Sequence, residues 1–156
     1  MLLDINSLKT YFSAADSGPS RAVEGVSFSI DRGETVALVG ESGSGKSVTA
    51  FSVIQLLAEN AYHPSGSIVF DGKDMLALSE RQKRNLRGDD MAMIFQEPMT
   101  SLNPLMRIDK QIMEPLMIHQ EMSKLAAAEK VFSLLQQVGI PDTSERMSSF
   151  PHQLSG

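Results

Sequence analysis

Residues 40 to 47 read Gly40-Glu41-Ser42-Gly43-Ser44-Gly45-Lys46-Ser47, and this stretch decides the fold. It fits G-x-x-x-x-G-K-[ST] at Gly40, Gly45, Lys46 and Ser47, the pattern of a phosphate-binding loop. Each position has a physical task. The glycines let the backbone turn into a nest whose N–H groups aim at phosphate oxygens. Lys46 brings a compact charge to the β- and γ-phosphates, and the Ser47 hydroxyl is a hard oxygen suited to Mg²⁺. Ser42, Gly43, Ser44 and Val48 complete the expected contacts around the phosphates.

The flanks support this reading. Thr35-Val36-Ala37-Leu38-Val39 is a short apolar run rich in β-branched residues, which predicts a buried parallel strand. From Ser47 to Ala58 apolar residues recur at Val48, Phe51, Ile54, Leu57 and Ala58, which predicts a helix. Strand, loop and helix in that order put the phosphates on a helix N-terminus. The expected fold class is therefore α/β.

Bulk composition narrows the partners. The chain has 156 residues, 42% apolar and 21% charged, one domain's worth of globular sequence. Its net charge is −5 with no basic stripe, so nucleic acid is not an expected partner. Cysteine is absent, which excludes disulfides, zinc–thiolate sites and cysteine nucleophiles. No apolar stretch approaches membrane-spanning length, and Met1-Leu2-Leu3-Asp4-Ile5-Asn6 has no signal-peptide pattern. A cytoplasmic location is expected.

Patterning divides the rest. Leu2 to Phe12 and Ala22 to Ile30 read as strands, joined by a loop at Ser13 to Ser20. Ser67 to Gly72 is a short strand with a turn, Ser79 to Gln82 a capping box opening a polar helix, and Met91 to Phe95 another buried strand. Two prolines make Glu97 to Pro104 a loop. Helices are expected over Ile108 to Ile118, Lys124 to Val138 and near Asp142 to Glu145. Residues 1–96 form a β-rich part and 97–156 a mostly helical one.

Several residues receive plain structural expectations. Met75, Met91, Met93, Met113 and Met117 read as core filler among ten methionines. The charge run Glu80 to Arg87 reads as a solvated helix face. His63, His119 and His152 lack metal-ligand spacing and read as surface or loop residues.

Three segments resemble one family. Gly40 to Ser47 followed by Val48-Thr49-Ala50 resembles the phosphate loop of ABC-transporter ATPases. Met93-Ile-Phe-Gln-Glu-Pro-Met-Thr-Ser-Leu-Asn-Pro104 looks like the Q-loop of the peptide/nickel importer subfamily, whose members take up dipeptides, oligopeptides, glutathione and microcin C. Pro151-His-Gln-Leu-Ser-Gly156 looks like the opening of that subfamily's signature motif. The resemblance covers the whole chain and implies an incomplete P-loop NTPase of ABC type.

It also implies roles. Gln96 becomes a Mg²⁺ ligand beside Ser47. Phe12 or its neighbour Tyr11 stacks on adenine, and alternation along Leu8, Thr10 and Phe12 does not choose between them. Leu154, Ser155 and Gly156 contact the nucleotide held by a second ATPase subunit or domain. Met99 and Met106 flank a segment that faces the membrane subunit. The implied cofactors are ATP and Mg²⁺. The implied partners are that second ATPase, transmembrane permease subunits and, indirectly, an extracytoplasmic solute-binding protein. The implied location is the cytoplasmic face of the inner membrane.

In the family the second signature glycine, the Walker B aspartate, the catalytic glutamate and the switch histidine all lie downstream of Gly156. The chain is therefore expected to be an N-terminal fragment that binds ATP–Mg²⁺ and does not hydrolyse it. Other readings are a GTPase or small-molecule kinase, an inert nucleotide-binding fragment, or a non-transport ABC ATPase. GTPase segments Asp-x-x-Gly and Asn-Lys-x-Asp are absent. The transported solute is not encoded in these residues.

Overall fold

The computed structural model describes residues 1–15, 18–95 and 102–154. It divides into two compact units, Met1–Arg87 and Gly88–Gly156.

The first unit is an antiparallel sheet with one helix behind it. Strand β1 (Leu3–Phe12) buries Leu3, Ile5, Leu8 and Thr10 on one face. The step from Ile5 to Leu8 breaks the two-residue alternation. A bulge absorbs it, with Ser7 at φ 46° and a register slip between Ile5 and Leu8. β1 is flanked by β2 (Ser20–Ile30) on one side and β4 (Ser67–Phe70) on the other. Two short strands, β3 (Ala61–Tyr62) and β5 (Lys73–Asp74), pair with β1 and β4. Helix α1 (Lys46–Ile54) packs against β1 and β2. Ile68 and Met75 complete the core beside the buried β1 residues. Helix α2 (Glu80–Leu86) opens at Ser79, whose hydroxyl accepts from the Gln82 N–H while Gln82 Oε1 accepts from the Ser79 N–H at 3.0 Å. That is the expected capping box.

The second unit is helical. Helices α3 (Ile108–His119) and α4 (Lys124–Gln137) bury Ile108, Met113, Leu116, Ala127, Val131 and Leu135 against each other. Pro115 removes one amide from α3, and the helix nevertheless runs on to His119. α4 ends at a left-handed glycine, Gly139, with Pro141 beyond, as its sequence predicts. A short α5 (Thr143–Arg146) and a 3₁₀ turn (Pro151–Gln153) follow.

Two expected strands do not form. Residues 35–39 have no regular structure, and Val36, Leu38 and Val39 are exposed. Residues 92–95 are likewise irregular, with Ile94 95% exposed. A strand exists only through its ladder, and no described strand pairs with either segment. The described sheet is thus wholly antiparallel. α1 is also shorter than its apolar pattern, because Gln55 turns left-handed at φ 57° and stops it before Leu57.

Smaller expectations need correcting too. Met117 is exposed rather than core, lying on the outer side of α3. Within the charge run, Arg87 is not simply solvated. Its guanidinium donates to the carbonyls of Ile54 (2.9 Å) and Gln55 (2.6 Å), capping the end of α1. His63 is half-buried and hydrogen-bonded rather than on the surface.

Candidate functional site

The loop from Gly40 to Gly45 leads into α1 without a side-chain cap and with no acid in the first turn. The orphan N–H groups of that turn and the positive end of the helix dipole thus have neither a side-chain cap nor a first-turn carboxylate from α1 itself. Gly43 and Gly45 turn left-handed at φ 81° and 88°. Gly45 is doubly constrained, since a Cβ there would lie 2.4 Å from the Ala22 carbonyl oxygen of β2. That close approach sets the start of α1 on the sheet. Thr49 tightens the first turn, its hydroxyl donating to the Gly45 carbonyl at 2.9 Å.

Lys46 curls back over the loop. Its Nζ donates to the carbonyls of Gly40 (2.7 Å) and Glu41 (2.6 Å) and to Ser44 Oγ (3.4 Å). All three ammonium protons are thereby directed into the loop. A phosphate offers the same cation an anionic acceptor, which makes the stronger bond. Ser42 and Ser47 are exposed, and Val48 is half-buried in the first turn.

The two candidate aromatics lie on opposite faces of β1. Thr10 is fully buried and hydrogen-bonds Ser52 of α1 at 2.9 Å, so alternation puts Phe12 on the face that α1 covers. Tyr11 shares the other face with Lys9. Its hydroxyl donates to Glu24 at 2.7 Å, Arg21 sits 5.7 Å from its ring centre, and Tyr62 meets it edge-on at 5.9 Å. The bond to Glu24 raises the Tyr11 phenol above its ordinary value. Glu24 is lowered by the bonds it accepts from Lys9 and then Tyr11.

Leu154 is partly buried against the helical core of the second unit. Gln96, Ser155, Gly156 and Met99 lie outside the described residues. Among the described residues no group of three or more histidine, aspartate or glutamate side chains is placed to hold a metal. Sequence reasoning missed the Arg87 cap and the His63 contacts. Neither has a local signal, because both join residues far apart in the chain.

Left-handed glycines, a lysine ammonium held over the turn and an uncapped helix start are the features by which proteins of the phosphate-loop class hold anions. The ABC transporter family matches residues 23–156, and the chain belongs to that family. It is 53% identical over 156 residues to the peptidoglycan transport ATP-binding protein YejF of Agrobacterium fabrum, covering 99% of this chain and 28% of that protein. It is 47% identical to the oligopeptide transport ATP-binding protein OppD of Bacillus subtilis, covering 99% of this chain and 43% of that protein. In fold it is similar to the ATP-binding cassette MJ0796 in a dimeric post-hydrolysis structure bound to ADP and Pi. There the TM-score is 0.83 at 21% identity, over 99% of this chain and 63% of the other. The chain thus spans less than half the length of these curated relatives.

Proposed function

We propose that this chain is the ATP-binding part of an ABC importer subunit, and that the whole subunit couples ATP hydrolysis to uptake of peptides or similar small solutes. The observation that carries this is the loop itself. Gly45 is pinned against Ala22 and the Lys46 ammonium is held over the turn, at an uncapped helix start. The names of the relatives, oligopeptide transport among them, support the solute class.

In this reading Gly40, Ser42, Gly43, Ser44, Gly45 and Val48 cradle the phosphates through backbone N–H groups, and Lys46 exchanges its carbonyl acceptors for phosphate oxygens. Mg²⁺ fits here because Ser47 offers an exposed hard oxygen one residue beyond Lys46. Mg²⁺ takes few protein ligands and shares phosphate oxygens and waters, in keeping with a loop that has no acidic cage among the described residues. Ser47 would hold the ion, and the chemistry it would supply is positive charge against the negative charge of a phosphoryl group in transfer. Gln96 is proposed as its second protein ligand. Phe12 is proposed as the adenine-stacking residue in preference to Tyr11, because it shares the α1 face and the Tyr11 hydroxyl is engaged by Glu24.

The proposed partners are a second ATPase subunit or domain, contacted through Leu154, Ser155 and Gly156, and transmembrane permease subunits. The similar cassette MJ0796 is a dimer bound to ADP and Pi, which supports the first. A solute-binding protein is engaged only indirectly. The cytoplasmic membrane face follows from these partners, and no described helix is long and apolar enough to cross a bilayer.

Thermal denaturation with ATP–Mg²⁺ and with GTP–Mg²⁺ tests the reading. At one ATP concentration the melting temperature of the wild type rises, and that of Lys46→Ala rises markedly less. An equal rise in both proteins, or a preference for GTP, refutes it.

A further inference from the structure

At the far end of α1 from the phosphate loop, Gln55, His63, Thr10 and Ser52 form one hydrogen-bonded chain, and its proton order can be assigned. Ser52 Oγ lies 2.7 Å from the Val48 carbonyl, which only accepts, so the Ser52 proton is committed there. Thr10 Oγ1 is 2.9 Å from Ser52 Oγ and must therefore donate to it. His63 Nδ1 is 3.1 Å from Thr10 Oγ1 and 3.2 Å from the Lys9 carbonyl, both now acceptors, so Nδ1 carries a hydrogen. On the other side of the ring, Gln55 Nε2 donates to the Ser52 carbonyl at 2.6 Å and faces His63 Nε2 at 3.4 Å. An amide nitrogen only donates, so His63 Nε2 must accept. The neutral Nδ1–H imidazole satisfies every pair.

A second ring proton would set two donors face to face at Gln55. Relief requires the Gln55 amide to turn and give up its bond to Ser52. Gln55 is also the C-terminal cap of α1, with its own carbonyl held by Arg87. The surrounding charges oppose the extra proton. Lys83 of α2 raises its cost, and the Glu80 carboxylate that could offset it is shared by Lys83 (3.3 Å) and Arg87 (3.8 Å). On β1, Lys9 and Tyr11 are both bound to Glu24, and on β3 the neighbouring group is Tyr62. Burial lowers the His63 imidazole below its ordinary 6.5, with Lys83 adding to the fall and the Lys9 carbonyl opposing it.

We propose that His63 is a positioning residue for the phosphate loop: its neutral ring locks the C-terminal end of α1 to β1, and acidification releases it. The consequence for ligand binding rests on the nucleotide reading above. Because the locked state takes up the proton later than the released one, the lock is intact above pH 6.5 and is lost as pH falls below it.

Hydrogen–deuterium exchange of residues 46–55 in the intact protein, corrected for intrinsic rates, tests this at about pH 7.5 and pH 5.5, alongside binding of a fluorescent ATP analogue. In the wild type, protection and affinity both fall about threefold or more on acidification, bounded by tenfold per pH unit. His63→Asn keeps a donor near the Nδ1 position and does not titrate, so its protection stays flat. Gln55→Glu offers the protonated ring an acceptor and likewise abolishes the loss. Unchanged wild-type protection, or the same loss in both variants, overturns the proposal. Wild-type loosening with no nucleotide bound at either pH supports the lock and overturns the nucleotide reading instead.

Discussion

Replacing Gly45 by alanine separates two effects that this loop combines. The backbone there sits at φ 88°, where a side chain costs about 1–3 kcal/mol whatever its surroundings. The new Cβ would also stand 2.4 Å from the Ala22 carbonyl oxygen, a main-chain atom of β2 at the register shift between Arg21 and Val23, so backbone and not a flexible side chain must give way. Gly43 is the internal control, with a similar φ of 81° and, among the described residues, nothing within 4 Å of its added Cβ. Gly43→Ala bears the dihedral cost alone. Gly45→Ala bears that cost and must also move α1 off β2. If about 1–3 kcal/mol falls on the binding-competent loop, Gly43→Ala loses about 5- to 150-fold in ATP–Mg²⁺ affinity. Gly45→Ala loses more and melts at a lower temperature. Calorimetric titration with ATP–Mg²⁺ and a melting curve on each variant decide the matter. Equal affinities and equal melting temperatures for the two would refute the idea that Ala22 positions the helix start.

Three further outcomes follow from named contacts. Lys46→Ala removes a charge-assisted donor worth about 1.5–3 kcal/mol, so ATP affinity falls about 10- to 150-fold in the same titration. Phe12→Ala costs about 1–3 kcal/mol of base stacking, while Tyr11→Ala leaves ATP affinity unchanged; the reverse ranking would assign the base to Tyr11. Ile68→Ala, at a fully buried position, destabilises the first unit by about 2–5 kcal/mol, read as a lower urea midpoint.

Elements that close on near neighbours were legible in the sequence. β1 and β2 form a hairpin, and β4 ends in the turn that its Asp71-Gly72 predicts. The Ser79 box and the Gly139 stop carry local signals that need no tertiary partner. The family reading came from three ordered motifs and agrees with the matched span of residues 23–156. What escaped was non-local. Arg87 caps a helix that ended far earlier in the chain, at Ile54, and His63 meets Thr10 across a still longer stretch. No spacing rule reports such pairs.

The two missing strands show the same physics from the other side. Residues 35–39 and 91–95 have the composition of parallel strands, and composition is all a sequence displays. A parallel strand is buried on both faces and bonded along both edges by residues distant in the chain. Without those partners beside it, a β-branched run has no ladder to join, and Val39 and Ile94 stand 86% and 95% exposed. Antiparallel β1 escapes this dependence because Leu3 pairs with Ile30 on one edge and Phe70 on the other, both within its own unit. Burial and ladder pairing rise together, so any condition that supplies a strand beside residues 35–39 should bury Val36 and Leu38 and protect their amides at once. Exchange at those amides reports this directly. Protection appearing there while the two side chains remain accessible would show that burial and pairing are not linked in this way.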